Sequence, residues 1–336
     1  MDKHNTKALS SRLPSLLLDF IVKNGVYFIF LAVVVFFATT TDTFFTLSNA
    51  LNILQQAVPM GIAVLGMVFV LSAACVDISI GQVMHLTSVI VGVTIVQFEA
   101  SGFIQNPWSV VVLWLVGISV GLIFGTINGT LVAKFGMVPF IVTLATMNIA
   151  RGIAVTFSVS HTFYLAPIQP LAQKMIGDIN FPVVILIQLG IWLIFSFVYY
   201  YTPFGRHINA VGCDERASRS IGIKAGQLKF FAYLICGFTA SVSAMILGGQ
   251  IGMSFPNFGH GHEFLVISGA VLGGTSLAGG RGNMFPGAII GILLVQTILN
   301  GLTMINASPF SFTIVHGLIV FLAVTIDSIK HKGELR

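Results

Sequence analysis

Apolar residues run along this chain in ten long blocks, separated by short polar or glycine-bearing breaks. The blocks cover roughly 26–41, 57–74, 78–98, 109–133, 138–157, 182–201, 230–250, 263–279, 284–303 and 311–328. Each approaches the ~20 residues that an α-helix needs to cross a hydrocarbon core of ~30 Å. The shorter blocks are expected to be tilted, broken or re-entrant. The pattern predicts an all-α integral membrane protein of about ten transmembrane helices. Composition agrees. With 8% charged residues, 56% hydrophobic residues and a mean hydropathy of +0.96, 336 residues cannot cover a soluble surface.

Charge then orients the threading. Lys3, Lys7, Arg12, Lys23, Lys134, Arg206, Arg216, Arg219, Lys224, Lys229, Arg281, Lys330, Lys332 and Arg336 all fall in tails and loops on one side. Lys174 falls on the other side, and Arg151 lies inside a span. Lys and Arg resist translocation, so both termini are expected in the cytoplasm. The expected domains are a cytoplasmic N-terminal tail at 1–25, a transmembrane domain at 26–328 with a cytoplasmic loop at 202–229, and a cytoplasmic tail at 329–336. The apolar run near the N-terminus has no small-x-small site after it, which predicts an uncleaved first helix. The net charge of +5 is then a property of cytoplasmic loops, and no nucleic-acid partner is expected. Cys75, Cys213 and Cys236 have no metal-ligand or CxxC spacing.

Ten helices divide into five and five, and an odd number per half would invert one half relative to the other. Asn128-Gly129-Thr130-Leu131 before Pro139-Phe140 is echoed by Asn300-Gly301-Leu302 before Pro309-Phe310, on the opposite face. An inverted five-plus-five repeat is therefore expected. Gly117, Gly121, Gly125 and Gly129 form one stripe along the fourth helix, suited to close packing of a neighbouring helix. Gly269, Gly273, Gly287 and Gly291 suggest the same for helices eight and nine.

A carboxylate near the bilayer centre costs about 2.5–3.5 kcal/mol on insertion scales, so Asp77 requires a partner or a cavity. Two compatible readings stand. Asp77 lines a polar pathway with Ser79 and Gln82, or it caps the third helix. Thr143, Met147 and Arg151 share a helix face, either facing solute or with Arg151 reaching the interface. His260 and His262 form a His-Gly-His pair without a third ligand, and no metal site is expected. In the loop at 202–229, Cys213–Ile221 reads as a short helix with Asp214 and Glu215 in its first turn and Gly222 as its cap. It is either a docking element for a cytoplasmic partner or a solvated basic loop. No Gly-x-x-x-x-Gly-Lys-Ser/Thr run is present, so ATP phosphates are not cradled by that device. No catalytic constellation is seen, and no enzyme activity is expected.

Several segments together resemble the sugar-type ABC importer permeases (ribose, galactose, xylose and autoinducer-type). Asp77-Ile78-Ser79-Ile80-Gly81 is similar to that family's Asp-Leu-Ser-Val-Gly segment. Val138-Pro139-Phe140-Ile141-Val142-Thr143-Leu144 with Arg151-Gly152 resembles its Pro-Phe-Ile-x-Thr-Leu…Arg-Gly block, and Asn209-Ala210 through Gly222-Ile223 its coupling loop. Gly273-Gly274-Thr275-Ser276-Leu277-Ala278-Gly279-Gly280-Arg281-Gly282 matches its glycine-rich block. Ala73-Ala74-Cys75-Val76 departs from the Gly-Gly-Ile type of run usual before the aspartate. The resemblance implies a bacterial inner-membrane permease working as a dimer, with a second copy or a sister permease. It implies cytoplasmic ATP-binding subunits, which would bind the ATP and Mg, and an extracytoplasmic solute-binding protein. No cofactor is expected in this chain. It also implies ATPase coupling through Glu215, Arg216, Ala217, Arg219 and Gly222. The glycine-rich turn with Thr275, Ser276, Gly279, Gly280 and Arg281 would lie on the same side. Asp77, Ser79, Gln82, Asn128, Thr143, Asn148 and Arg151 are the candidate pathway residues. The alternatives are an ion-coupled secondary transporter using Asp77 or Glu263, or an ABC permease for amino acids or nucleosides.

Overall fold

The structure is a computed structural model that describes residues 25–159 and 161–334, without the side chains of 309, 326 and 329–334. Most of the expected N-terminal tail, with Lys3, Lys7, Arg12 and Lys23, therefore lies outside the described residues, as does Arg336. The described chain is helical: α1 (Gly25–Thr40), α2 (Leu47–Ser72), α3 (Ile80–Ser101), α4 (Ser109–Ala133), α5 (Pro139–Ser158), α6 (Gln169–Gln173), α7 (Val183–Tyr201), α8 (Pro203–Cys213), α9 (Glu215–Ser220), α10 (Ala225–Ile251), α11 (His262–Leu272), α12 (Ile289–Met304) and α13 (Pro309–Glu334). Among the described residues, 7 apolar helices are long enough to cross a membrane, α12 being counted together with the helical turn Met284–Ala288 that leads into it, and α1, α11 and the apolar part of α13 are shorter. Each predicted block corresponds to one of these helices.

The boundaries shift where local chemistry overrides hydropathy. Helix α2 begins ten residues before the apolar block, because Thr46 caps it by accepting the Asn49 N–H at 3.3 Å. Its first turns carry Asn49, Asn52, Gln55 and Gln56, which a hydropathy window rejects. Helix α11 is shorter than predicted, closing at Gly273 before Gly274 at φ 94°.

Helices α2 and α10 form the buried axis of the bundle. The glycine stripe of α4 lies on α10. A Cβ at Gly121 would overlap the Gly237 carbonyl, and one at Gly237 would overlap the Gly121 carbonyl. Within α2, Pro59 cannot donate to the Gln55 carbonyl. The Gln250 side chain of α10 donates to that carbonyl instead, at 2.8 Å. Ser243 Oγ in turn donates to the Pro59 carbonyl at 2.7 Å, so the weak point of α2 is clamped to α10.

Each axial helix is followed by non-helical backbone. After α2, residues 73–79 lead to α3; after α10, residues 252–261 lead to α11. The second segment runs beside α3, with Ser254 Oγ 2.7 Å from Ser88 Oγ and Gly259 packed tightly on Gly81. The second interruption therefore lies against the first half of α3, the helix that the first interruption leads into. Over the far end of the bundle, Phe163–Tyr164 pairs with Met253–Ser254 as a two-residue antiparallel ladder.

Candidate functional site

The seven candidate pathway residues separate into a buried group and an exposed pair. Asp77 lies in the break after α2, where Ser79 donates to its Oδ1 from both the backbone N–H (2.9 Å) and Oγ (2.6 Å). Asn128 of α4 donates to Ser79 Oγ at 3.0 Å and accepts from Thr146 Oγ1 of α5 at 2.7 Å. This chain links the break to α4 and α5, and all four residues are buried. Asp77 therefore fixes the entry to α3 through Ser79, the residue preceding the helix. It does not cap the first-turn N–H groups of α3, a correction to the capping reading. Gln82 and Thr143 are also buried, Thr143 donating to the Pro139 carbonyl at 3.0 Å. Asn148 and Arg151 are exposed on α5. The expected stripe runs from buried Thr143 through half-buried Met147 to exposed Arg151, so it winds out of the bundle. Thr146, which the sequence reading passed over, completes the buried chain. Its four-residue spacing from Val142 marks it as inward-facing, but its partner Asn128 is set by tertiary packing.

The other candidates gather at the end of the bundle that carries the basic loops. Helix α9 is the predicted short helix, trimmed at both ends. Asp214 stands before its first turn as the cap, accepting from the N–H groups of Arg216 (2.8 Å) and Ala217 (3.0 Å). Gly222, at φ 87°, closes it: the Gly222 N–H reaches the Arg219 carbonyl and the Ile223 N–H reaches the Ser218 carbonyl. Glu215 pairs with Arg219 and with Lys229 of α10, each at 2.6 Å. The Lys229 hydrogen bond has the largest effect and, helped by Arg219, holds the Glu215 carboxyl below its ordinary pKa against the opposing effect of burial. Helix α9 is thus anchored on one side, while Arg216, Ala217 and Ile221 are exposed on the surface. Ile221 is 76% exposed, an apolar group next to free-standing helix surface.

The segment before α9 is also helical, which the sequence reading missed. Helix α8 starts at Pro203 and buries Gly205, Ile208 and Val211. Its C-terminal end rests on the glycine-rich turn. The Gly280 N–H donates to the Ser72 carbonyl at 3.0 Å, and Cys213 Sγ lies 3.7 Å from the Gly280 carbonyl. A Cβ at Gly279 would collide with Ala74, and one at Gly212 with Ser72. Thr275 is buried and its Oγ1 accepts the Asn283 N–H at 3.1 Å, while the Leu277 N–H donates to Asp327 of α13 at 3.1 Å. Ser276 caps the turn locally, accepting the Ala278 N–H at 3.2 Å. Tyr199 at the end of α7 completes the knot, 2.9 Å from Ser72 Oγ and donating to Asn209 of α8 at 2.6 Å. Ser72, Tyr199, Asn209 and Asp327 were not among the site candidates: Asp327 at the end of an apolar block and Asn209 at the start of the coupling-loop segment carried a signal, whereas nothing local marks Ser72 and Tyr199. The end of α2, α7, α8, α13 and the glycine-rich turn are therefore one hydrogen-bonded unit directly before α9.

Residues 49–324 match the family described as branched-chain amino acid transport system / permease component. The chain is 32% identical over 289 residues to the ribose import permease protein RbsC of Bacillus subtilis, covering 84% of this chain and 85% of the relative. It is 31% identical over 304 residues to RbsC of Escherichia coli K12, covering 89% and 92%. It is 30% identical over 278 residues to the L-arabinose transport system permease protein AraH of Escherichia coli K12, covering 82% and 80%. No solved structure matches the chain.

Proposed function

We infer, from the premise that the chain belongs to the family described as branched-chain amino acid transport system / permease component, that it is the membrane-spanning subunit of an ATP-driven importer for a monosaccharide or a related small polar solute. The observation that carries the sugar class is that the quoted relatives, aligned over most of their length, are ribose and arabinose permeases. The chain is a multi-pass protein of the bacterial inner membrane and supplies transport, not catalysis. The family's branched-chain amino acid label fits less well. A zwitterionic solute calls for a fixed charge pair, whereas Asp77 is buried in a chain of neutral hydroxyl and amide groups.

The pathway is placed at the contact between two permease copies, or between this chain and a sister permease. Exposed Asn148 and Arg151 on the α5 surface support this, because charged and amide groups on a membrane helix are costly against lipid. The buried Asp77–Ser79–Asn128–Thr146 chain braces α5 from behind. An inverted repeat is supported by the matched pair of long axial helices, α2 and α10, each followed by a non-helical break. Both termini are assigned to the cytoplasm with the basic end.

There, separate subunits bind ATP and Mg and dock on α9. The exposed groups Arg216, Ala217 and Ile221 offer the contact, and Glu215, Arg219 and Gly222 hold the helix in shape. Movement of α9 passes through α8 to the glycine-rich turn and the end of α2. A docked subunit shifts this unit only by binding its two arrangements with different affinity. A solute-binding protein delivers cargo at the opposite end.

The test is purification of the tagged chain from native membranes in mild detergent, with partners identified by mass spectrometry. A co-purifying ATPase that carries a phosphate-binding loop, and ATP-dependent sugar uptake after joint reconstitution, is the expected result. A chain that purifies alone and supports uptake without ATP overturns the reading in favour of ion coupling.

A further inference from the structure

At the end of the bundle opposite the basic residues, α2, α10, α11 and α12 part around a cleft of about 400 Å³. Six polar side chains line it: Asn52, Gln55, Gln56, Gln250, His262 and Gln296. The remaining wall is Met60 and aliphatic residues, with no Asp, Glu, Lys or Arg. Six such groups among apolar helices are costly unless they meet water or a polar ligand. Part of their capacity is used along the wall. Gln296 Nε2 donates to Gln56 Oε1 at 2.8 Å, and Gln56 Nε2 donates to Asn52 Oδ1 at 3.0 Å. Gln250 is held by the Gln55 carbonyl that Pro59 leaves without a helical donor. Each amide offers two donors and an acceptor oxygen, so this ladder uses only a fraction of what the wall presents. The buried Nδ1 of His262 has no hydrogen-bond partner in the protein.

We propose that this cleft is a solute station within the single subunit, taking a neutral polyhydroxylated molecule of monosaccharide size. Its volume lies within the ~300–1,000 Å³ range of small-molecule sites. Hydroxyl groups both donate and accept, as amides do, so the wall matches a sugar edge without requiring charge. Met60, Leu265 and Leu299 suit the C–H faces of the ring. The uncharged lining offers no counter-charge to an ion or a zwitterion. Neutral hydrogen bonds also hold cargo weakly enough to let it leave, as conduction requires. The station rests on the importer reading and adds a place where cargo stops inside one permease copy, apart from the α5 surface.

The test uses the transporter assembled with its ATP-binding subunits and binding protein in proteoliposomes. Gln56→Cys is introduced in a Cys213→Ser background, which removes the exposed native thiol. A membrane-impermeant maleimide reads access to the cleft, with D-ribose, L-arabinose and other monosaccharides as probes and glycine as control. The expected result is at least a three-fold slowing of labelling by the transported sugar, none by glycine, and loss of the protection when Gln296→Leu is added. Leu299→Cys on the facing wall is a second reporter if the first folds poorly. ATP-driven uptake of a sugar with unaltered labelling at both positions overturns the station and leaves the importer reading intact. Absence of ATP-driven uptake for every sugar overturns the importer reading. In that case protection of the cysteines keeps the cleft as a sugar site, and its absence removes both.

Discussion

Asn128 shows how one side chain can be tied to three segments. Its amide nitrogen serves Ser79 in the break after α2 and its oxygen takes the Thr146 hydroxyl from α5, while its backbone belongs to α4. Asn128→Leu should leave Ser79 Oγ without that donor in a dry interior and cost about 1–3 kcal/mol, read as a lowered thermal midpoint of the purified protein. At Glu215 the sign of a pH effect follows from its ion pairs. Its carboxyl titrates lower in the folded protein than in the unfolded chain, so the stabilisation is complete above the ordinary carboxylate range. It is lost as pH falls through the depressed folded value. The difference in thermal midpoint between the wild type and Glu215→Gln should therefore be flat above roughly pH 5 and vanish in strong acid. The group is partly exposed, so the difference should be small and reduced by salt.

Among the elements, the crossing of α4 and α10 tolerates no added bulk. Gly121 and Gly237 meet backbone to backbone, and Gly121→Leu should destabilise by about 1–3 kcal/mol or abolish folding, visible as loss of a monodisperse chromatographic peak. On α9, Glu215→Lys with Arg219→Glu restores an ion pair within the helix but sets the introduced lysine against Lys229. Stimulation of the ATP-binding subunits by cargo-loaded binding protein should fall sharply in that double variant. Coupled ATP hydrolysis at the wild-type rate would remove α9 from the docking role. These elements were unequally legible. The glycine stripe and the α9 caps are local and could be read directly. Helix α8 was hidden because Thr202-Pro203 opens it like a turn and only a few short apolar positions face inward. The early start of α2 was hidden by Asn52, Gln55 and Gln56, the same amides that line the cleft.

For the whole molecule, the charge asymmetry of the sequence has a structural counterpart. Lys134, Arg206, Arg216, Arg219, Lys224, Lys229 and Arg281 lie on or beside the elements gathered around α8, α9 and the glycine-rich turn. Cys213 sits at this end and is exposed, whereas Cys75 and Cys236 are buried. An impermeant maleimide should therefore label the wild-type chain in inside-out vesicles and leave right-side-out vesicles unlabelled. Labelling of right-side-out vesicles would reverse the assigned orientation. The ten apolar blocks and their charge bias were legible because lipid imposes them on every segment independently. The contacts of Ser72 with Tyr199, Gln296 with Gln56 and Leu277 with Asp327 were not, since each joins residues whose sequence separation no local pattern encodes.

Helix α2 has one end held at the Ser72 carbonyl by the glycine-rich turn, and the other bearing the cleft amides. Its 26 residues make a strut of about 39 Å. Pivoted by ~5° about Pro59, near its midpoint, such a strut would carry each end sideways by roughly 1.7 Å, about half the length of a hydrogen bond. Pro59, pinned to α10 at its own carbonyl and at that of Gln55 one turn before, sits between the two ends as a fulcrum. A tilt about that point would move the two ends of α2 in opposite directions, so a stroke that tightened one mouth would loosen its counterpart.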